Sequence, residues 1–140
     1  KFIDDFNLEI DLAYGKMNYS KKISNTTHVI KCFGSVNFLE EYPLLFFDCF
    51  IKLDDKQKFL KKLSIKDKNK NEVFDLKVKG NLNILNRKIN FKNISLNDSY
   101  KASKEDLKYF KDIFEKILFD KNFLEIFNFK KIREFIIEIS

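Results

Sequence analysis

The chain of 140 residues has no tryptophan, one proline, one histidine and three glycines, and these scarcities exclude several kinds of site. Gly15, Gly34 and Gly80 are too far apart to form a glycine-rich phosphate loop. His28 has no cysteine or carboxylate at a recognisable motif spacing, so we assign it no catalytic or metal-binding role. We therefore expect no enzyme activity, no metal site and no cofactor.

Long apolar stretches are also missing: no run of 18 or more apolar residues occurs, and no signal peptide precedes the first strand pattern. Because the sequence begins with Lys1, we expect the targeting signal to lie upstream. The length suits one structural unit, residues 1–140, mainly β over 1–100 and helical over 101–140. We interpret it as the C-terminal fragment of a larger protein, because helices after the last strands would close an open sheet edge.

Arginine is scarce in a basic chain. The net charge is +6, yet only Arg87 and Arg133 among the 27 basic residues are arginines. Base edges and phosphates are read mainly by arginine, so this balance disfavours nucleic acid as a partner. The abundance of Lys, Asn, Ile and Phe is typical of an AT-rich genome, and we expect a solvated lysine-rich surface.

The strongest pattern present is period-2 alternation, which places successive side chains on opposite faces of a sheet. Phe6, Leu8, Ile10 and Leu12 alternate with polar residues and predict a strand with one buried face. Gly15 supplies a turn or bulge, after which the pattern continues more weakly. Further strands are predicted over His28–Phe38, Leu44–Leu53, Val73–Leu85 and Lys88–Leu96, where the alternation slips at Ile94.

Helical spacing replaces alternation in three places. A short helix is predicted from Asp54 or Asp55 to about Ser64. Ser103 and Asp106 resemble a capping box and begin an amphipathic helix, and a second helical stretch follows near Phe123–Ile139. The predicted fold class is α+β: an open or curved antiparallel sheet of about five strands with one inserted helix and two C-terminal amphipathic helices.

The two cysteines fall on strands that are predicted to form a hairpin. If its apex lies at Glu40 and Glu41, Cys32 and Cys49 lie directly opposite each other. Their Cα atoms would then be about 4.5 to 5.5 Å apart, within the range that a disulfide accepts. A disulfide between Cys32 and Cys49 and a pair of buried free thiols both remain open.

One face of the predicted sheet carries no charged side chain. Such a face suits an apolar groove for a lipid, and it suits equally well an ordinary core beneath the C-terminal helices. The candidate lipid-binding residues on it are Leu45, Phe47, Ile51, Leu53, Phe74, Leu76, Val78, Leu82, Ile84, Ile89 and Phe91.

Four segments share a recognisable succession of strand, glycine and helix patterns: Gly80–Leu85, Lys88–Ile94, Ser103–Phe110 and Phe129–Phe135. Through them, the region from about Phe33 to Ser140 resembles the C-terminal region of bacterial AsmA-like proteins. The resemblance implies a periplasmic location, an inner-membrane anchor outside this chain, and a repeating β-groove. It implies a role in lipid transport to the outer membrane, or in assembly of that membrane, with a phospholipid or other envelope lipid as ligand and envelope proteins as partners. The anchor and most of the groove are missing here.

Two functions follow from these patterns. The first is a non-catalytic lipid-binding segment of an AsmA-like protein, whose apolar sheet face stays partly uncovered. The alternative is a structural or protein-interaction β domain without a lipid ligand, whose apolar face is fully covered by the helices.

Overall fold

The computed structural model describes residues 4–62, 74–118 and 129–139. Within these residues, seven antiparallel strands form one sheet, and each strand lies beside its neighbours in sequence. The strands are β1 (Asp5–Ala13), β2 (Lys16–Ser24), β3 (His28–Asn37), β4 (Leu44–Leu53), β5 (Phe74–Asn83), β6 (Lys88–Leu96) and β7 (Tyr100–Lys101). The helices are α1 (Lys56–Lys62), which lies between β4 and β5, and α2 (Lys104–Leu118) and α3 (Phe129–Ile139), which follow the sheet.

The prediction of about five strands is therefore wrong, although the broad α+β class remains compatible with the structure. The first predicted strand and its weak continuation are two strands, β1 and β2, which form a hairpin around Tyr14 and Gly15. Both turn residues have positive φ, as a two-residue hairpin turn that matches the sheet twist requires. β7 was missed because two residues are too few to show a period.

Several predicted boundaries also shift. β5 ends at Asn83, two residues before the predicted end, because the Asn83 side-chain oxygen accepts hydrogen bonds from the backbone N–H groups of Leu85 and Asn86 and begins the turn. Ile84 therefore lies in a turn and not in a strand. Val73, Ser64 and residues 123–128 of the predicted elements lie outside the described residues.

Register assigns the strand residues to two faces of unlike chemistry. In β1 to β6, the apolar face carries mainly aliphatic and aromatic side chains, and the polar face carries most of the lysines, asparagines and acidic residues. Lys21 is the one charged side chain that the described strands place on the apolar face, and its Nζ lies 5.5 Å from the centre of the Phe6 ring. The alkyl stem of a lysine can lie along apolar surface while its ammonium group stays in water.

The slip in the alternation at Ile94 has a structural cause. The register between β5 and β6 shifts between Lys79 and Gly80, so that Phe91 pairs with Gly80 and Asn93 pairs with Lys79. Lys92 is the extra residue of a β-bulge. Phe91 and Ile94 consequently lie on the same face even though three positions separate them.

One cluster of the core lies between the apolar face and α2. Leu82 and Ile89 are 8% and 4% exposed. The partly buried side chains that pack against this pair are Leu45, Phe47, Phe91 and Phe114. Phe114 of α2 meets Phe91 edge-to-face at 5.8 Å and Phe135 of α3 at 5.6 Å, so an aromatic series links the sheet to both helices.

The predicted capping box of α2 is present. Ser103 N–H donates to Asp106 Oδ2 at 2.9 Å, and Asp106 N–H donates to Ser103 Oγ at 3.1 Å. The Tyr100 hydroxyl donates to the same carboxylate at 2.8 Å. The backbone N–H of Ser103, followed by the Tyr100 hydroxyl, holds the pKa of Asp106 below its usual value.

From this capping box we predict that replacing Asp106 lowers the stability of the protein at neutral pH but not in acid. Because the folded-state pKa of Asp106 is lowered, its contribution is present above the ordinary Asp pKa of about 3.9 and is lost as the pH falls through the folded value. We expect Asp106→Asn to be less stable than the parent protein at pH 7, and the difference to shrink below about pH 4. Urea denaturation midpoints across pH 2.5–7 measure it, and a difference independent of pH would contradict this account of the cap.

Candidate functional site

The register brings most of the candidate lipid-binding residues together on the apolar face, in rows that cross the sheet. Leu45 pairs with Leu82 and, beyond it, Ile89; Phe47 lies in one row with Gly80 and Phe91. The other rows place Ile51 beside Leu76, Leu53 beside Phe74, and Val78 beside Cys49. Ile84 is the exception, since it lies in the β5–β6 turn.

Part of this candidate set is core. Leu82 and Ile89 are buried and pack with Phe114 of α2 and the half-buried ring of Phe47, and Leu53 is 2% exposed. The half-buried members are Leu45, Phe47, Ile51, Phe74, Leu76, Val78, Ile84 and Phe91. The buried residues contribute to stability and not to an accessible surface.

The other end of the apolar face is uncovered. On β1, Phe6, Leu8, Ile10 and Leu12 are 53%, 46%, 58% and 68% exposed. The prediction that this strand buries one face is therefore wrong: α2 packs against β6, at the opposite end of the sheet. These four residues extend the candidate surface, and the signal that could have found them was their own alternation.

Two glycines let large side chains cross the apolar face at close range. Tyr19, Gly34, Phe47 and Gly80 occupy one row on β2, β3, β4 and β5. The Tyr19 ring lies over Gly34, and a Cβ atom built there would be 3.0 Å from Tyr19 Cε1; at Gly80 it would be 2.8 Å from Phe47 Cζ. Each glycine is thus covered by the aromatic ring of the preceding strand.

Tyr19 is fixed at both ends. Its hydroxyl donates to the backbone oxygen of Phe46 at 3.2 Å, which spans β3 completely. Burial raises the pKa of the Tyr19 phenol, so the hydroxyl stays protonated and able to donate at neutral pH. Tyr19 is half-buried and lies directly beside the exposed Ile10 of β1.

A disulfide crosses the middle of the sheet. Cys32 and Cys49 are directly paired on β3 and β4, in the register that the hairpin apex indicates, and their Sγ atoms are bonded. The Cα atoms are 4.1 Å apart. The bridge adds a covalent cross-link to the row beside Gly34 and Phe47.

The polar face is organised by ion pairs between neighbouring strands and turns. Lys79 Nζ lies 3.3 Å from Asp48 Oδ2, and Lys77 Nζ lies 2.7 Å from Asp98 Oδ1. The hydrogen bond to Asp98 raises the pKa of the Lys77 ammonium group. Exposed pairs such as these contribute little to stability, and they keep this face hydrated.

Possible metal ligands are not gathered in the part of the chain that the structure describes. Within residues 4–62, 74–118 and 129–139, no three His, Cys, Asp or Glu side chains are placed to share a metal ion. His28 is fully buried at the start of β3, where its Nδ1 lies 3.4 Å from Thr27 Oγ1. None of the described helices is long and apolar enough to cross a membrane.

Fold and site together define an antiparallel β-meander whose apolar face is covered by helices at one end and open at the other. Comparison with known protein families, with curated proteins and with solved structures gives no match.

Proposed function

We propose that this chain is a non-catalytic lipid-binding segment, in which the open part of the apolar face shields an acyl chain from water. The observation that carries the proposal is the row of four exposed apolar side chains on β1, continuous with the half-buried row on β2. Large contiguous apolar patches on soluble surfaces mark sites of interaction. The AsmA-like character, the periplasmic location and the anchored full-length protein remain parts of this proposal that rest on the sequence resemblance.

The dimensions of the strand suit an acyl chain. Nine residues of β1 extend over about 30 Å at about 3.4 Å per residue. Each methylene removed from water contributes about 0.8 kcal/mol, so a 16-carbon tail crossing water faces a barrier on the order of 12 kcal/mol. A tail lying along β1 and β2 would lose contact with water on the side facing the sheet, which removes a substantial part of that barrier.

The open end, and not the covered end, is the place to test. Placing a charge at Phe47 would disrupt the core beneath α2 and would report on folding. Ile10 is more than half exposed, so an aspartate there changes the chemistry of the surface while leaving the core intact. Asn7 lies on the polar face of the same strand and is the matched control.

The test is photo-crosslinking to vesicles that contain a phospholipid with a tritiated acyl chain. A benzophenone amino acid is placed at Leu12 on the apolar face or at Asp11 on the polar face. We expect label on the protein with the probe at Leu12 and at least tenfold less with the probe at Asp11. Ile10→Asp should abolish labelling at Leu12, whereas Asn7→Asp should leave it unchanged.

Equal labelling from both faces, or none from either, would refute the proposal. Urea midpoints of Ile10→Asp and Asn7→Asp should both lie close to that of the parent protein, because both positions are exposed. This comparison separates a loss of binding from a loss of folding.

A second candidate, a protein-interaction domain without a lipid ligand, is favoured by a different observation. In the part of the chain that the structure describes, β1 is a nine-residue strand at the edge of the sheet and pairs with β2 alone. An unpaired edge invites another strand. The same vesicle experiment discriminates the two, since this candidate predicts no acyl label at Leu12.

A further inference from the structure

Within the described residues, no strand pairs with the outer edge of β1, which presents a regular series of backbone groups. Asn25 N–H donates to His28 O and Phe38 N–H donates to Gly15 O, so the odd-numbered residues of β2 point their peptide groups toward β3. Because peptide groups alternate along a strand, the even-numbered residues of β2 point toward β1 and bond to its odd-numbered residues, as in the pair Ser20 and Glu9. The even-numbered residues of β1 therefore point their N–H and C=O groups outward.

The opposite edge of the sheet, formed by β6 and β7, is partly covered by α2. On β6, Ile89 N–H donates to the Glu115 carboxylate of α2 at 3.0 Å, and Lys88 Nζ contacts the same side chain at 3.0 Å. β7 pairs with β6 at Ser95 and Leu96. Proteins usually protect edge strands with charged side chains, above all lysine, or with proline, a bulge or a covering element. β1 contains neither lysine nor proline, and its nine residues pair with β2 without a register shift.

The polar side of β1 is acidic in a chain whose net charge is positive. Asp5, Glu9 and Asp11 lie on this side, and the strand carries no basic residue. Asp5 lies 3.8 Å from Lys22 Nζ. Glu9 and Asp11 are instead opposite Ser20 and Asn18. Glu9 accepts a hydrogen bond from Asn7 Nδ2 at 3.2 Å, and in the described part of the chain neither carboxylate forms an ion pair.

The geometry points to β1 as a docking edge for a further β-strand in which apolar residues alternate with lysine or arginine. Main-chain hydrogen bonds would use the outward peptide groups of Leu8, Ile10 and Leu12. Apolar side chains of the incoming strand would lie beside these three residues, and its basic side chains would lie beside Glu9 and Asp11. Strand addition of this kind combines backbone affinity with specificity from alternate side chains.

Charge decides against a second copy of the chain at this edge. Antiparallel pairing of β1 with another β1 would bring the acidic side chains of both strands together on one face. Like charges placed opposite each other on neighbouring strands are destabilising. A basic strand removes that repulsion and supplies partners for Glu9 and Asp11.

Fluorescence anisotropy with two nine-residue peptides tests the side-chain part of the proposal. One peptide alternates valine with lysine, and the other alternates valine with glutamate. We expect the lysine peptide to bind the parent protein about tenfold more tightly than the glutamate peptide. The double variant Glu9→Lys and Asp11→Lys should reverse that preference, whereas a reversal that fails to appear would overturn the proposal.

A proline at the edge tests the backbone part. Ile10→Pro removes an outward N–H without removing a bond between β1 and β2, and Ile10→Ala is the control that retains the N–H. We expect the lysine peptide to bind Ile10→Ala and to bind Ile10→Pro at least fivefold more weakly. Equal binding to both variants, or equal binding of a peptide with the same composition in scrambled order, would refute strand addition.

Analytical ultracentrifugation tests whether a second copy of the chain binds at β1 instead, because it measures whether the protein is a monomer or a dimer. If the protein forms a dimer that the lysine peptide cannot dissociate, β1 binds a second copy and the proposal is wrong. A monomer that binds the lysine peptide supports it. These results do not depend on lipid binding, because the peptide experiments contain no vesicles.

Discussion

Replacing Gly34 with alanine is expected to destabilise the sheet by about 3 kcal/mol, the upper end of the usual range for an added methyl group in a packed site. A Cβ atom at this position would overlap the backbone oxygen of Phe46 and come within 3.0 Å of the Tyr19 ring. A side chain can rotate away from such a contact, but a carbonyl group held in a sheet cannot. Urea denaturation followed by circular dichroism measures the loss.

Two neighbouring substitutions serve as controls for Gly34→Ala. Ser35→Ala removes one hydroxyl from the next residue and adds no atom, so we expect a change below about 1 kcal/mol. Tyr19→Phe removes the hydrogen bond to Phe46 O and should cost about 1 kcal/mol. If Gly34→Ala cost no more than these two, the close approach of β4 to β3 would not be a determinant of the fold.

The second large effect is expected from removal of the disulfide. Cys32 and Cys49 are 17 residues apart, and closing a loop of that size in the unfolded chain corresponds to about 3 kcal/mol of stability. The double variant Cys32→Ala and Cys49→Ala should lose approximately this amount. Thermal and urea unfolding of the variant and the parent protein measure the difference.

Reduction of the parent protein supplies the matched control for that variant. Treatment with a thiol reductant should lower its unfolding midpoint to about that of the double alanine variant and should not change the variant itself. Alkylation followed by mass spectrometry counts the thiols before and after treatment. Two free thiols in untreated protein would show that Cys32 and Cys49 are a pair of buried free thiols and not a disulfide.

Alternation predicted which side of each strand is apolar, because a period of two follows directly from strand geometry. It also located the hairpin that places Cys32 opposite Cys49. The number of strands was wrong partly because the weak alternation of β2 is a continuation of the clear alternation of β1 in the sequence, and the turn at Tyr14 and Gly15, both with positive φ, divides the two strands. The break at Ile94 was visible as an irregularity, but its identity as a bulge required the register of β5.

The candidate site shows a different kind of limit. Alternation identifies an apolar face, but it cannot say what covers that face, since coverage depends on where the helices dock. Phe47 and Ile10 are equivalent by pattern, yet Phe47 lies in the core beneath α2 and Ile10 is 58% exposed. The sequence pattern is compatible with an apolar groove and with an ordinary core. In the structure, one end of the apolar face is covered by α2 and the other end is exposed.

The guarding of β6 by Glu115 has a consequence for assembly. A sheet that can add strands at both edges can form an indefinite fibre, because each addition creates a new acceptor. Here the bond from Ile89 to Glu115 and the packing of α2 block one edge, so growth of the sheet has a single direction, outward from β1. The two edges of the sheet therefore differ in function: the β6 edge prevents addition of a strand, and the β1 edge permits it.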